Sequence, residues 1–230
     1  MDSPNSATDE QDILRIAQEL IEQLNISSFR PVSVFWADYV PLTMPDSEKV
    51  FPEMVGLAIR DVPIGWCVFT WDRVILPIEM KGKLGPGEWR PLLASSLIYE
   101  ARLSLRRSIG FIFLSTPIII DAVGWWELFA VSTPASGIPA LLLILDIAGL
   151  FGALLLSGFL VKRFTRRLRL RADTLAAEHV GRETLERVLE KMKTLGLVDT
   201  YAGTWGRGYP FSSELMNGRP TLADRITNLS

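Results

Sequence analysis

Histidine and cysteine are almost missing from this chain. Its 230 residues include one of each, His179 and Cys67. A single cysteine excludes an intrachain disulfide and gives no argument for an oxidising compartment. A single histidine excludes a two-histidine metal site within one copy of the chain. An all-carboxylate site would suit calcium or magnesium better than zinc, and no cofactor is expected. His179 falls at a helix end beside Gly181 and reads as a C-terminal helix residue. There is no phosphate-cradling glycine loop, no G-x-S-x-G around the adjacent Ser95 and Ser96, no internal repeat and no low-complexity tract. The opening residues, 1–11, are acidic and polar, without the basic and apolar regions of a secretory signal. They read as a disordered tail that stays in the cytoplasm. With 24 basic and 26 acidic residues, no overall basic field points to nucleic acid.

What the chain has in quantity is apolar residues, 48% of the total, and long runs of them. Ile138–Val161 is 24 residues with one charge, Asp146. As a helix it would cross a hydrocarbon layer of roughly 30 Å. Ile109–Val131 is read as its partner. Its first twelve residues are uncharged, and Asp121, Trp125, Trp126 and Glu127 follow. Either it spans with Asp121 facing the other helix, or it is short and the tryptophans mark the far interface. Pro117 kinks both versions.

Basic residues set the orientation. Arg102, Arg106 and Arg107 precede the first run, and Lys162, Arg163, Arg166, Arg167, Arg169 and Arg171 follow the second. The loop Asp121–Gly137 has no Lys or Arg. The positive-inside rule then gives a two-span integral protein of the plasma membrane, with both termini cytoplasmic. Arg106, Arg107, Lys162, Arg163, Arg166 and Arg167 would meet lipid headgroups rather than nucleic acid. Asp121 and Asp146 are the intramembrane polar candidates, for a proton or ion role. The plainer alternative puts Asp121 in the outer loop and Asp146 against a polar neighbour.

Either side of the hairpin the patterning is that of a folded domain. Asp12–Leu24 is amphipathic, with Thr8 and Gln11 in capping-box spacing. Val32–Trp36, Val55–Ile59, Trp66–Trp71 and Arg73–Ile78 predict strands, the last two joined by a turn near Asp72. After the Gly-rich break Lys81–Gly87, a helix starts near Glu88 and has no Gly to stop it before Gly110. Phe164–His179 and Arg182–Leu195 are helical, Gly196–Met216 is a loop, and Thr221–Leu229 is a short helix with Thr221 and Asp224 in capping-box spacing.

This order of elements resembles the membrane zinc metallopeptidases of the HtpX and CAAX-prenyl-endopeptidase type, from about Ile13 to Leu229. In that family the helix before the hairpin carries H-E-x-x-H, two zinc-binding histidines and a water-activating glutamate. Here Ser95 and Tyr99 stand in the histidine positions and Ser96 in that of the base. The third ligand, a glutamate four residues before the aspartate of E-x-x-A-D, is replaced by Arg169 ahead of Ala172-Asp173. The late His-Pro reads Arg219-Pro220, followed by Arg225-Ile226. The resemblance implies an α+β fold: a zincin-like cytoplasmic domain of a small sheet plus helices, interrupted by a transmembrane helical hairpin. Residues 12–107 would form its first half, 108–161 the hairpin and 162–230 its helical second half.

Residues Ser95, Ser96, Tyr99, Arg169 and Asp173 would then form a degenerate cleft with neither catalytic nor metal-binding residues. Arg169 would supply the charge the metal once did, paired with Asp173 or Glu100. The plainer reading of Ser95, Ser96 and Tyr99 is a helix packed through small residues. The expected function is that of a catalytically inactive, metallopeptidase-like membrane protein acting as a binding, scaffold or accessory subunit beside other membrane subunits. Two alternatives stay open: a working metalloendopeptidase with unorthodox ligands, and an ion- or proton-coupled component built around Asp146. The oligomeric state is open.

Overall fold

The structure, a computed structural model, describes residues 4–37, 39–41, 58–62, 64–106, 108–110, 112, 116, 140–197 and 220–230. Apolar residues at Ile13, Ile16, Ala17 and Leu20 recur at helical spacing, and all are buried. They lie on helix α1, Pro4–Gln23. The helix starts at Pro4 rather than Asp12, because a proline is tolerated in a first turn and Thr8 and Gln11 fall inside the helix. Its end is defined by Asn25, which takes a positive φ of 52°. The amide of Ile26 donates to the Ile21 carbonyl and that of Asn25 to Glu22, the paired bonds of a Schellman ending.

The strands are β1 (Ser33–Ala37), β2 (Tyr39–Pro41), β3 (Ala58–Asp61), β4 (Val68–Phe69) and β5 (Arg73–Pro77). Strand β5 lies at the centre of a three-stranded sheet, with β1 parallel on one side and β4 antiparallel on the other. Its Val74, Ile75 and Leu76 are all buried, so the strand is enclosed on both faces. Strands β2 and β3 form a separate antiparallel ladder. The stretch Trp66–Trp71 contributes only two strand residues. The Cys67 amide, which a strand would spend on a ladder, donates instead to Ser96 Oγ at 2.9 Å.

Helix α2, Pro86–Leu97, has Pro86 in its first turn, where its missing N–H costs nothing. Glu88 accepts the Gly85 amide at 2.7 Å. Its carboxylate also receives Lys191 Nζ at 2.6 and 2.7 Å. Arg90 reaches Glu19 and Gln23 and so joins α2 to α1. The helix does not run on to Gly110 as its composition predicts. A π-helical turn, Ile98–Arg102, follows, and Leu103 leaves helical geometry at φ −97°, ψ 0°.

Helix α3 runs from Ala140 to Val180, 41 residues. Gly181, at φ 90°, breaks it from α4, Arg182–Thr194. Helix α5, Leu222–Leu229, opens on the Thr221–Asp224 capping box: Thr221 Oγ1 accepts the Asp224 amide, and Asp224 Oδ2 accepts that of Thr221. The chain divides into two compact units. One comprises Met1–Leu103, Arg169–Thr204 and Pro220–Ser230, and the other Ser104–Leu168 and Trp205–Arg219.

The fold class needs correction. The chain is mostly helical with a small three-stranded sheet, and among the described residues no helix is long and apolar enough to cross a membrane. The interrupting transmembrane hairpin, the multi-pass description and the two-span placement in the plasma membrane are therefore not upheld. The run Ile138–Val161 does not end as a discrete span. It continues through Val161 into the basic segment as one helix. Of Ile109–Val131, only residues 109, 110, 112 and 116 are described. A span needs both helix length and apolar content, and a 41-residue helix of mixed character satisfies the first without the second.

Candidate functional site

Helix α2 turns Ser95 and Ser96 inward, and both are buried. Ser96 Oγ accepts the Cys67 amide, fixing the approach to β4. Ser95 Oγ donates to Asp173 Oδ1 on α3 at 2.6 Å. Asp173 is also gripped by Arg225 from α5, whose Nε donates to Oδ2 at 2.8 Å and whose Nη2 donates to Oδ1 at 2.7 Å. The third guanidinium nitrogen, Nη1, donates to the Gly65 carbonyl at 2.9 Å. Side-chain exposure is 1% for Arg225 and 0% for Asp173. A two-point guanidinium–carboxylate contact is the geometry that best offsets the loss of water around both charges.

Aromatic rings complete the cluster. The Arg225 guanidinium carbon lies 4.1 Å from the Trp66 ring centroid. That of Arg169, on α3, lies 4.5 Å from Trp66 and 4.2 Å from Tyr99. Tyr99 stands in the π-helical turn, its ring centroid 6.3 Å from that of Trp66. Guanidinium groups are weakly hydrated and planar, so they stack on ring faces where an ammonium would be costly. Gly65 is required beneath them. Its φ is 78°, and a Cβ there would stand 2.7 Å from Met192 Cε and 3.1 Å from Arg225 Nη1.

All five residues of the expected cleft, Ser95, Ser96, Tyr99, Arg169 and Asp173, thus lie in this buried cluster. Asp173 pairs with Arg225 and Ser95 rather than with Arg169, and Arg169 stacks on the rings of Trp66 and Tyr99. Sequence reasoning left Arg225, Trp66, Gly65 and Cys67 out of the site. Arg225 carried a signal, since it lies three residues after Leu222 and four before Leu229, on the buried side of α5. Of the other candidates, Asp146 lies within α3, while Asp121 and Arg107 fall outside the described residues. Arg106, Lys162, Arg163, Arg166 and Arg167 are all exposed.

The cluster's chemistry is that of a closed network. Burial pushes the Cys67 thiol up to about 12, against the opposing influence of Ser96 and the Arg225 charge, so it stays a thiol rather than a reactive thiolate. Ser95 donates its hydrogen bond to a carboxylate already engaged by a guanidinium, a geometry that holds the hydroxyl rather than activating it. His179 lies elsewhere, with Nε2 3.4 Å from Arg102 Nη1. Zinc does not fit these residues: the cluster offers a hydroxyl committed to Asp173, a phenol and guanidinium groups, and two cations lie against Trp66. Among the described residues no group of three or more His, Cys, Asp or Glu side chains could hold a metal. Comparison with protein-family models, with curated proteins and with solved structures yields no match to this chain.

Proposed function

We propose that this chain is a catalytically silent relative of the zinc metallopeptidases it resembles, and that it works as a binding or scaffold subunit alongside other proteins. One observation carries the reading. Where those enzymes present metal ligands and a base, this chain has a closed network linking Ser95, Asp173 and Arg225, with Arg169 stacked on Trp66 and Tyr99. Such a network joins α2, α3, α5 and the approach to β4 into one frame on which a binding surface can be built. It leaves no activated nucleophile and no open coordination position.

The test is metal analysis and peptidase assay of the purified full chain, with mass spectrometry of the proteins that co-purify. The expected result is no stoichiometric zinc, no cleavage of unfolded polypeptide and a reproducible protein partner. One tightly held zinc per chain, or hydrolysis abolished by a chelator, would overturn the reading.

A further inference from the structure

Within the second unit, the outward stripe of α3 changes chemistry along its length. Phe151, Leu155, Leu156 and Phe159 are 58–61% exposed, and Leu160 is 38% exposed. Lys162, Arg163, Arg166 and Arg167 follow and are also exposed. The spacing from 151 through 155, 159, 163 and 166 is that of one helix face, while Ser157 and Leu168 are buried. No acidic residue occurs between Asp146 and Asp173. At the helical rise, the apolar part is about 14 Å long and the cationic part about 8 Å. Large apolar side chains grouped this way, rather than scattered, mark a contact surface. Beside the stripe, the segment bearing exposed Leu105, Arg106, Ile109 and Ile112 packs where a Cβ on Gly110 would collide with the Phe164 ring.

We propose that this stripe docks on an anionic phospholipid surface, its apolar residues meeting acyl chains and its cations meeting headgroup phosphates. The charge order selects this occupant. Two copies joined through their stripes would press guanidinium groups onto apolar side chains or onto one another, with no carboxylate on the stripe to balance them. A lipid interface offers acyl chains beside anionic headgroups, which suits apolar and cationic side chains that share one face of a helix lying along the surface. Such contact does not need a helix that crosses the bilayer.

Flotation of the full-length protein with vesicles tests this. Vesicles of phosphatidylcholine containing about a third phosphatidylserine should capture the chain far better than phosphatidylcholine alone, and high salt should release it. Arg163→Gln with Arg167→Gln should weaken capture about 25-fold, roughly fivefold per cation. Leu155→Ser with Phe159→Ser should weaken it on both vesicle types while far-UV circular dichroism stays unchanged. Equal capture by neutral and acidic vesicles would overturn the proposal, as would variants indistinguishable from the parent. So would a concentration-dependent dimer, seen by sedimentation equilibrium and abolished by the Leu155→Ser/Phe159→Ser pair.

Discussion

Replacing Arg225 by alanine strands a charge where no water can reach it. The Asp173 carboxylate is completely buried and accepts three hydrogen bonds, two of them from Arg225. After Arg225→Ala, only the Ser95 hydroxyl remains, and the Gly65 carbonyl loses the bond it receives from Nη1. Removing one partner of a buried pair costs about 3–5 kcal/mol, most of it the uncompensated charge left behind. The stacking on Trp66 goes as well, but it overlaps the same loss and is not added. We expect about 4 kcal/mol, a large part of the roughly 5–15 kcal/mol that holds a typical fold. Arg225→Lys keeps the charge but cannot form the fork and still reach Gly65, so about 2 kcal/mol is expected. Asp173→Leu with Arg225→Met removes both charges, and should recover most of the loss suffered by Arg225→Ala. Urea unfolding followed by tryptophan fluorescence gives these values, provided the denaturant slope is unchanged. An Arg225→Ala protein within about 1 kcal/mol of the parent would refute the reasoning. So would a double variant no more stable than the single one.

Gly65→Ala should cost about 2 kcal/mol in the same unfolding experiment, because the positive φ is strained for any side chain and the new methyl group crowds Met192 and Arg225. Burial raises the Glu88 carboxyl, but the Lys191 ammonium and the Gly85 amide outweigh it and hold the group below its ordinary value of 4.5. A depressed acid stabilises the fold above its unfolded value, and that contribution is lost as pH falls through the lower folded value. Lys191→Met should therefore reduce stability at neutral pH and flatten its acid limb, by only about 0.5 kcal/mol because both groups are partly exposed. Cys67 should resist iodoacetamide at pH 8 in the folded protein and react once the chain is unfolded, as mass spectrometry will show; modification at equal rates in both states would contradict the buried, protonated thiol.

The elements legible in the sequence are those whose signals are local. The apolar face of α1, the Thr221–Asp224 capping box and the glycine between α3 and α4 each act within a few residues. The central strand β5 is readable because Val74, Ile75 and Leu76 form a consecutive, largely β-branched apolar run. What was not readable depends on distant partners. Nothing near Cys67 reveals that its amide goes to Ser96 rather than to a neighbouring strand, so the pattern predicts strand over all of Trp66–Trp71. Nothing near Tyr99 announces the π-helical turn. Asp173 looked ready to pair with Arg169, one helical turn away on the same helix, yet the residue that binds it is 52 positions further along. Two guanidinium groups compete for one carboxylate, and only the tertiary fold shows which one Asp173 binds and where the other is placed. The apolar run of α3 misled for a related reason, since its composition does not show where the helix ends.

A metal ion in a cleft of this kind would do two separable things: polarise a substrate, and draw several elements to one point. The network here performs a task of the second kind. Asp173 receives Ser95 from α2 and Arg225 from α5, and Arg225 also reaches Gly65, so one carboxylate and one guanidinium tie four segments together. Arg169 places a second cation against the faces of Trp66 and Tyr99. The Ser95 hydroxyl and all three guanidinium nitrogens of Arg225 are engaged in this cross-linking. A network satisfied to this degree specifies one arrangement of its helices, and loosening it to admit a substrate would expose buried charge. Under the proposed binding role, that rigidity would hold the outer faces of these helices in one arrangement.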